Sequence, residues 1–264
     1  MSDSTIPIDD EAPPVRPEQQ SILRADGIVV RASWGHIFGP LDLTVRTGGV
    51  TILSAPGGRA RTALLMVLCG RMRPSQGTLT SFGAIRNPHA LFTKSAVALI
   101  PEVDYIEQAI TVQDVVTDQL RWNAPWYKFV PRASADDIER VCRPVFGVHP
   151  VPNPKAFVEE LPELDNALLR IALANLRRPP LLVVGGIDGM TRDHNRQLLL
   201  EQLIELGREQ TVVTADVNAY EPEPGVREVI AVNELIESEF DALGDADDDP
   251  LSDELARIQQ EDVR

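Results

Sequence analysis

The chain has 264 residues, 43% of them hydrophobic, and a formal charge of −15, which suits a globular protein of one large domain or two small ones. The acidity sits at the ends. Five acids face one base over 1–20 and twelve face two over 234–264, but 23 face 22 in between, which excludes a body-wide basic footprint for nucleic acid.

Two cysteines, Cys69 and Cys142, exclude a disulfide scaffold and suit a reducing compartment. No apolar run nears the ~20 residues that a membrane helix needs. Residues 1–20 are acidic and proline-rich and read as a disordered lead. They lack the basic and apolar regions of a signal peptide, so a cytosolic protein is expected.

From there the chain alternates. Ile22–Val30 and Leu41–Val45 read as strands around a turn at Gly35–Pro40. Val50–Ser54 is a short apolar run, as a buried strand should be. The loop APGGRAR follows, then the helical run TALLMVLCGRM. Thr78–Phe82 and Ala96–Ile100 are further strands. Residues 111–147 read as helix-rich, broken at Pro125, Pro131 and Pro144. A helix over Leu161–Leu176, a buried strand Leu181–Val184 and a helix His194–Arg208 come next, and Gln210–Thr214 and Glu228–Val232 close the pattern. Residues 236–264 form an acidic tail, with a short helix from about Leu251 capped by Ser252 or Asp253. The fold class is therefore α/β with a helical insert over about 111–179 inside a body of 21–235.

The stretch after Ser54 carries the chemistry. A phosphate-binding loop needs small residues whose N–H groups curl around the anion, a helix N-terminus aimed at it, a cation for the outer phosphates and a hydroxyl for Mg²⁺. Against the template G-x-x-G-x-G-K-[ST], the chain reads Ala55, Pro56, Gly57, Gly58, Arg59, Ala60, Arg61, Thr62. Gly58 and the Thr62 hydroxyl match, and Gly57 adds a second glycine. Arg61 replaces the lysine in a chain with 22 arginines and three lysines. It keeps the charge, but its planar fork is longer than an ammonium.

The surroundings resemble the nucleotide-binding domain of ABC transporters (the ATP-binding cassette), in a degenerate form. Gly48-Gly49 precede the strand, and Gly70, Pro74 and Gly77 follow the helix with that family's spacing. Residues 96–116, AVALIPEVDYIEQAITVQDVV, resemble its glutamine loop and the helix after it. The resemblance covers about 21–235 and implies a P-loop NTPase-type core with a mixed sheet and a helical subdomain. It implies that ATP is held by Trp34, Gly57, Gly58, Arg59, Ala60, Arg61, Thr62 and Ala63, with Mg²⁺ at Thr62. Trp34 stands where an aromatic stacks on adenine, or else packs at its strand end.

Other family positions are substituted. Glu102 replaces the glutamine. Leu161, Pro162, Glu163, Leu164 and Asp165 replace the signature L-S-G-G-Q, so two carboxylates would face a triphosphate. Gly185-Gly186 replace the Walker B Asp-Glu, and Ala215 the switch histidine. Asp188 lies three residues beyond the missing aspartate, and His194 reads as a surface helix residue. No catalytic residue is assigned.

The resemblance implies a transporter subunit with weak or absent hydrolysis, cytoplasmic but held on the inner face of the cell membrane by an integral-membrane permease. It would pair with a second such domain, its own copy or a homologue. An active diverged ATPase and a nucleotide-independent scaffold remain the alternatives. Trp122, Trp126, Tyr127 and Phe129 form either a docking patch near Glu102 or the small core of the insert.

Overall fold

The computed structural model describes residues 20–233 apart from 34, 101, 102, 105, 107, 108 and 219–223. Trp34, Glu102, nearly all of the 1–20 lead and the 236–264 tail lie outside the described residues.

Two sheets flank one central helix. The antiparallel sheet pairs β1 (Ser21–Ala32) with β2 (Gly35–Arg46) on one side and with β4 (Gln76–Ser81) on the other, and β5 (Ala84–Ile85) adds to β4. The parallel sheet runs β6-β7-β8-β3-β9. Its strands are β6 (Ser95–Ala98), β7 (Leu181–Gly186), β8 (Thr211–Asp216), β3 (Gly49–Ser54) and β9 (Val226–Ala231).

The short apolar runs make the central strands of this sheet because both of its faces are covered. Alternation decides which residue goes where. Leu53, Leu181, Val183 and Val213 join the core shared with α1 (Arg59–Leu68) and the antiparallel sheet. Ile52, Leu182, Val184 and Val212 join a second core on the opposite face. That core is built by α3 (Val112–Asn123), α4 (Ala135–Phe146), α5 (Glu163–Ala174) and α6 (Asp193–Gly207). Burying a Leu or Val side chain contributes roughly 1.5–3 kcal/mol, so the inserted helices are bound to the sheet by many such terms.

Several expectations are corrected. The chain reverses between Ala32 and Gly35, not over Gly35–Pro40, because β2 already pairs from Gly35. Gly39 and Pro40 are absorbed as an irregularity within the strand pair. Gly39 lies at φ 107°, where a Cβ would strike the Ile28 carbonyl. Helix α1 begins at Arg59, three residues before the TALLM run.

Pro144 does not break α4. It falls in the last turn, where it forgoes the one N–H bond to the Arg140 carbonyl but only two helical residues follow it, and Val141, Cys142, Val145 and Phe146 bury the flanking face. A Ser134–Asp137 capping box holds the other end. The short α2 (Pro88–Lys94), capped by Asn87 onto the Ala90 N–H at 3.0 Å, and β5 were not expected.

The aromatic cluster is no core. Trp122, Trp126, Tyr127 and Phe129 are 84%, 96%, 75% and 87% exposed.

Candidate functional site

The loop Ala55–Gly58 leaves the C-terminal end of β3, which lies between β8 and β9, and runs into α1. Its start is fixed by the Ala55 N–H, which donates to the Asp216 carbonyl at 2.9 Å. Gly58 caps the helix at φ 121°, a region that L side chains rarely adopt. No side chain caps α1, and no acid lies in its first turn. The Thr62 N–H makes the first intrahelical bond, to the Gly58 carbonyl at 3.2 Å. The amides of Arg59, Ala60 and Arg61 therefore point out of the helix start, and the helix dipole favours an anion there.

The loop's Arg61 is already paired with an anion of the chain itself. Arg61 Nη1 donates to Asp188 Oδ2 at 2.9 Å, with the two side chains 15% and 13% exposed. Asp188 sits in a 3-10 turn, Ile187–Gly189, directly after β7. Its second oxygen, Oδ1, is buried and has no hydrogen-bond partner. The guanidinium folds back over the loop, and a Cβ on Gly57 would meet Arg61 Nη2 at 3.6 Å.

The two glycines after Val184 have different causes. A Cβ on Gly185 would overlap the Leu99 carbonyl oxygen. A Cβ on Gly186 would collide with Asp188 Oδ1 and stand 2.9 Å from Arg61 Nη2. Gly186 thus provides the space in which the Arg61–Asp188 pair lies.

The other expected positions are placed as follows. Ala60 and Ala63 are buried in the α1 core, and Thr62 is half-buried one turn into the helix. Ala215 is fully buried. Its neighbour Asp216, also fully buried, is paired with Arg196 of α6 at 2.7 Å and accepts from the Asn218 N–H at 2.8 Å. His194 is exposed on α6.

The carboxylates of the Leu161–Asp165 segment are partly exposed and are held by partners within the chain. Glu163 accepts from the Thr191 N–H at 2.7 Å, the Thr191 hydroxyl at 2.8 Å and Asn195 Nδ2 at 3.0 Å. These bonds, the backbone one first, hold it below the usual carboxylate range. Asp165 lies 2.8 Å from His149 Nε2.

Sequence reasoning found Arg61 and Asp188 separately but not their pairing. The one available signal was that Lys had become Arg in the same chain in which Asp-Glu had become Gly-Gly. The structure brings Gly57, Gly58, Arg61 and Asp188 together. Trp34 and Glu102 lie outside the described residues.

No family model matches the chain. Over 181 residues, 66% of its length, it is 26% identical to an ABC transporter ATP-binding/permease protein of Mycobacterium tuberculosis, and covers 20% of that protein. Over 130 residues, 49% of its length, it is 28% identical to a hemin import ATP-binding protein of Rhodococcus jostii, and covers 43% of it. The chain therefore spans less than half the length of these relatives.

Among solved structures it superposes on an ATP-binding cassette of an ABC transporter with TM-score 0.66, at 14% identity, over 82% of this chain and 89% of that one. A putative ABC transporter ATP-binding protein from Pyrococcus furiosus gives TM-score 0.60 at 16% identity, over 79% and 96%. The fold is that of ABC ATPase domains, and the sequence is similar to ABC ATP-binding proteins.

Proposed function

We propose that the chain is the ATP-binding-cassette subunit of a membrane transporter, binding ATP through its modified phosphate loop with weak or absent hydrolysis. The observation that carries this reading is the Arg61–Asp188 pair. Phosphoryl transfer depends on groups held in place around the γ-phosphoryl charge. Here the loop's cation is engaged by an internal carboxylate, and the strand end that should present two carboxylates presents Gly185 and Gly186. Fold alone does not supply the missing chemistry.

The loop suits a phosphate. The α1 amides at Arg59, Ala60 and Arg61, the backbone of Gly57 and Gly58, and the Arg61 guanidinium once parted from Asp188 would hold it. Bound ATP would supply a triphosphate charge that a second such domain could share.

Mg²⁺ suits the site less well. It demands near-octahedral oxygen ligands, and Thr62 offers one hydroxyl. Among the described residues no group of three or more His, Cys, Asp or Glu is placed to hold a metal.

The proposed partners are an integral-membrane permease and a second nucleotide-binding domain, the same chain or a homologue. The subunit would lie on the cytoplasmic face of the membrane through the permease. Support comes from the relatives, whose names pair ATP binding with a permease or with import. Among the described residues no helix is long and apolar enough to cross a membrane.

The test is calorimetric titration of ATP, with and without Mg²⁺, into the wild type and Arg61→Ala, with phosphate release followed in parallel. Weak binding that Arg61→Ala removes, with phosphate release at background, is expected. Steady phosphate release abolished by Arg61→Ala would overturn the reading in favour of an active ATPase. No heat from the wild type would overturn the nucleotide site.

A further inference from the structure

The loop between α3 and α4 presents aromatic and basic side chains together. Residues 119–132 carry Arg121, Lys128 and Arg132 and no carboxylate, in a body where acids and bases are otherwise nearly balanced. The Lys128 N–H donates to the Pro125 carbonyl at 2.9 Å, which closes a turn with Trp126 and Tyr127 at its tip. Their rings meet edge to face at 5.9 Å. Phe129 follows the turn, and Trp122 projects from the last turn of α3.

The turn is tied at its base. Arg121 Nε donates to the Val130 carbonyl at 3.3 Å, and Arg132 reaches Asp114 at 2.8 Å. Pro125 and Pro131 stiffen both flanks. The other exposed large apolar residues, such as Ile85, Phe92 and Val148, are spread along the chain. Here four aromatics lie within eight residues.

We propose that this turn is a bilayer-contact site that inserts Trp126, Tyr127 and Phe129 among the headgroups of an anionic lipid surface. Three features favour a lipid surface. Trp126, Tyr127 and Phe129 are 96%, 75% and 87% exposed on and beside one tight turn, so all three can enter a soft phase together. Trp and Tyr have an apolar body and a polar edge, the chemistry that partitions to the headgroup level. The surrounding cations match anionic lipid, although Arg121 and Arg132 are partly neutralised by Asp118 and Asp114. Lys128 then supplies the most direct charge. A pre-formed turn loses little conformational freedom on contact. The site is independent of the phosphate loop.

The experiment uses the full chain without nucleotide. It measures co-sedimentation with vesicles of phosphatidylcholine alone and of phosphatidylcholine with phosphatidylglycerol, alongside tryptophan emission. The variants are Trp126→Ser/Phe129→Ser and Lys128→Glu, with the melting curve as a check on folding. The wild type is expected to partition into the anionic vesicles with a blue shift that salt reverses. Partitioning should fall about tenfold or more in the double variant and several-fold in Lys128→Glu. Equal partitioning of wild type and double variant overturns the proposal. So does failure of the wild type to bind either vesicle, or binding only when the vesicles carry an integral-membrane protein, which would make the turn a protein-docking element.

Discussion

Asp188→Asn separates the two roles that the loop's ion pair can play. The substitution keeps the shape of the side chain and removes its charge, leaving Arg61 without a counter-ion. Breaking a fully buried pair from one side costs about 3–5 kcal/mol. These side chains retain 15% and 13% exposure, so about 1–3 kcal/mol is the appropriate scale after solvent screening.

On the proposed function, nucleotide binding in the wild type would meet part of that same cost, because the Arg61 fork would have to leave Asp188 to reach a phosphate. The variant would already have met it. At 1.4 kcal/mol per factor of ten, ATP affinity should rise about ten- to thirtyfold while the apo protein melts several degrees lower. Titration calorimetry and a thermal melt on the same sample read the two effects. Their opposite signs are the diagnostic. A variant that is destabilised but binds ATP no more tightly would show that the pair is structural and does not compete with phosphate.

Other consequences are simpler to check. Gly185→Ala should destabilise by more than Gly186→Ala in a urea melt. At 185 the added carbon meets a backbone carbonyl, whereas at 186 it meets the ends of two side chains that can shift. Neither Cys69 nor Cys142 should react with a thiol reagent in the native state; burial raises both thiols, that of Cys142 to about 12. The Ser134 hydroxyl and N–H, with Arg140, lower Asp137 from 3.8 to about 2. Its contribution is therefore present above about pH 4 and lost as pH falls towards 2. Ser134→Ala should cost about 1 kcal/mol at neutral pH and flatten that acid limb in melts taken across it.

The parallel strands were legible because runs such as VTIL and LLVV are short, apolar and buried on both faces. The fold followed from their order. The reversal near residue 34 was misplaced because Gly39-Pro40, a strong turn signal, lies inside a strand pair that tolerates it. Pro144 was read as a break because its position in the last turn of α4 could not be known before the helix end was. At the site, the composition of the loop was legible but its closure was not. Arg61 and Asp188 are 127 residues apart, and nothing local to either predicts their contact. The partners of Glu163 and Asp165, namely Thr191, Asn195 and His149, lie in other segments, so those bonds were not legible either. The aromatic cluster was ambiguous for a different reason: Pro125 and Pro131 interrupt any helical period that would have assigned it a face.

The clearance at Gly186 also couples three positions. A carboxylate placed at 186 would enter the space held by Asp188 Oδ1 and Arg61 Nη2, so both side-chain ends would have to give way. One placed at 185 would meet the Leu99 carbonyl, and moving that carbonyl means moving backbone. Residues 61, 186 and 188 therefore act as one unit: a change at any of them alters what the other two can be, and substitutions within the set should be non-additive.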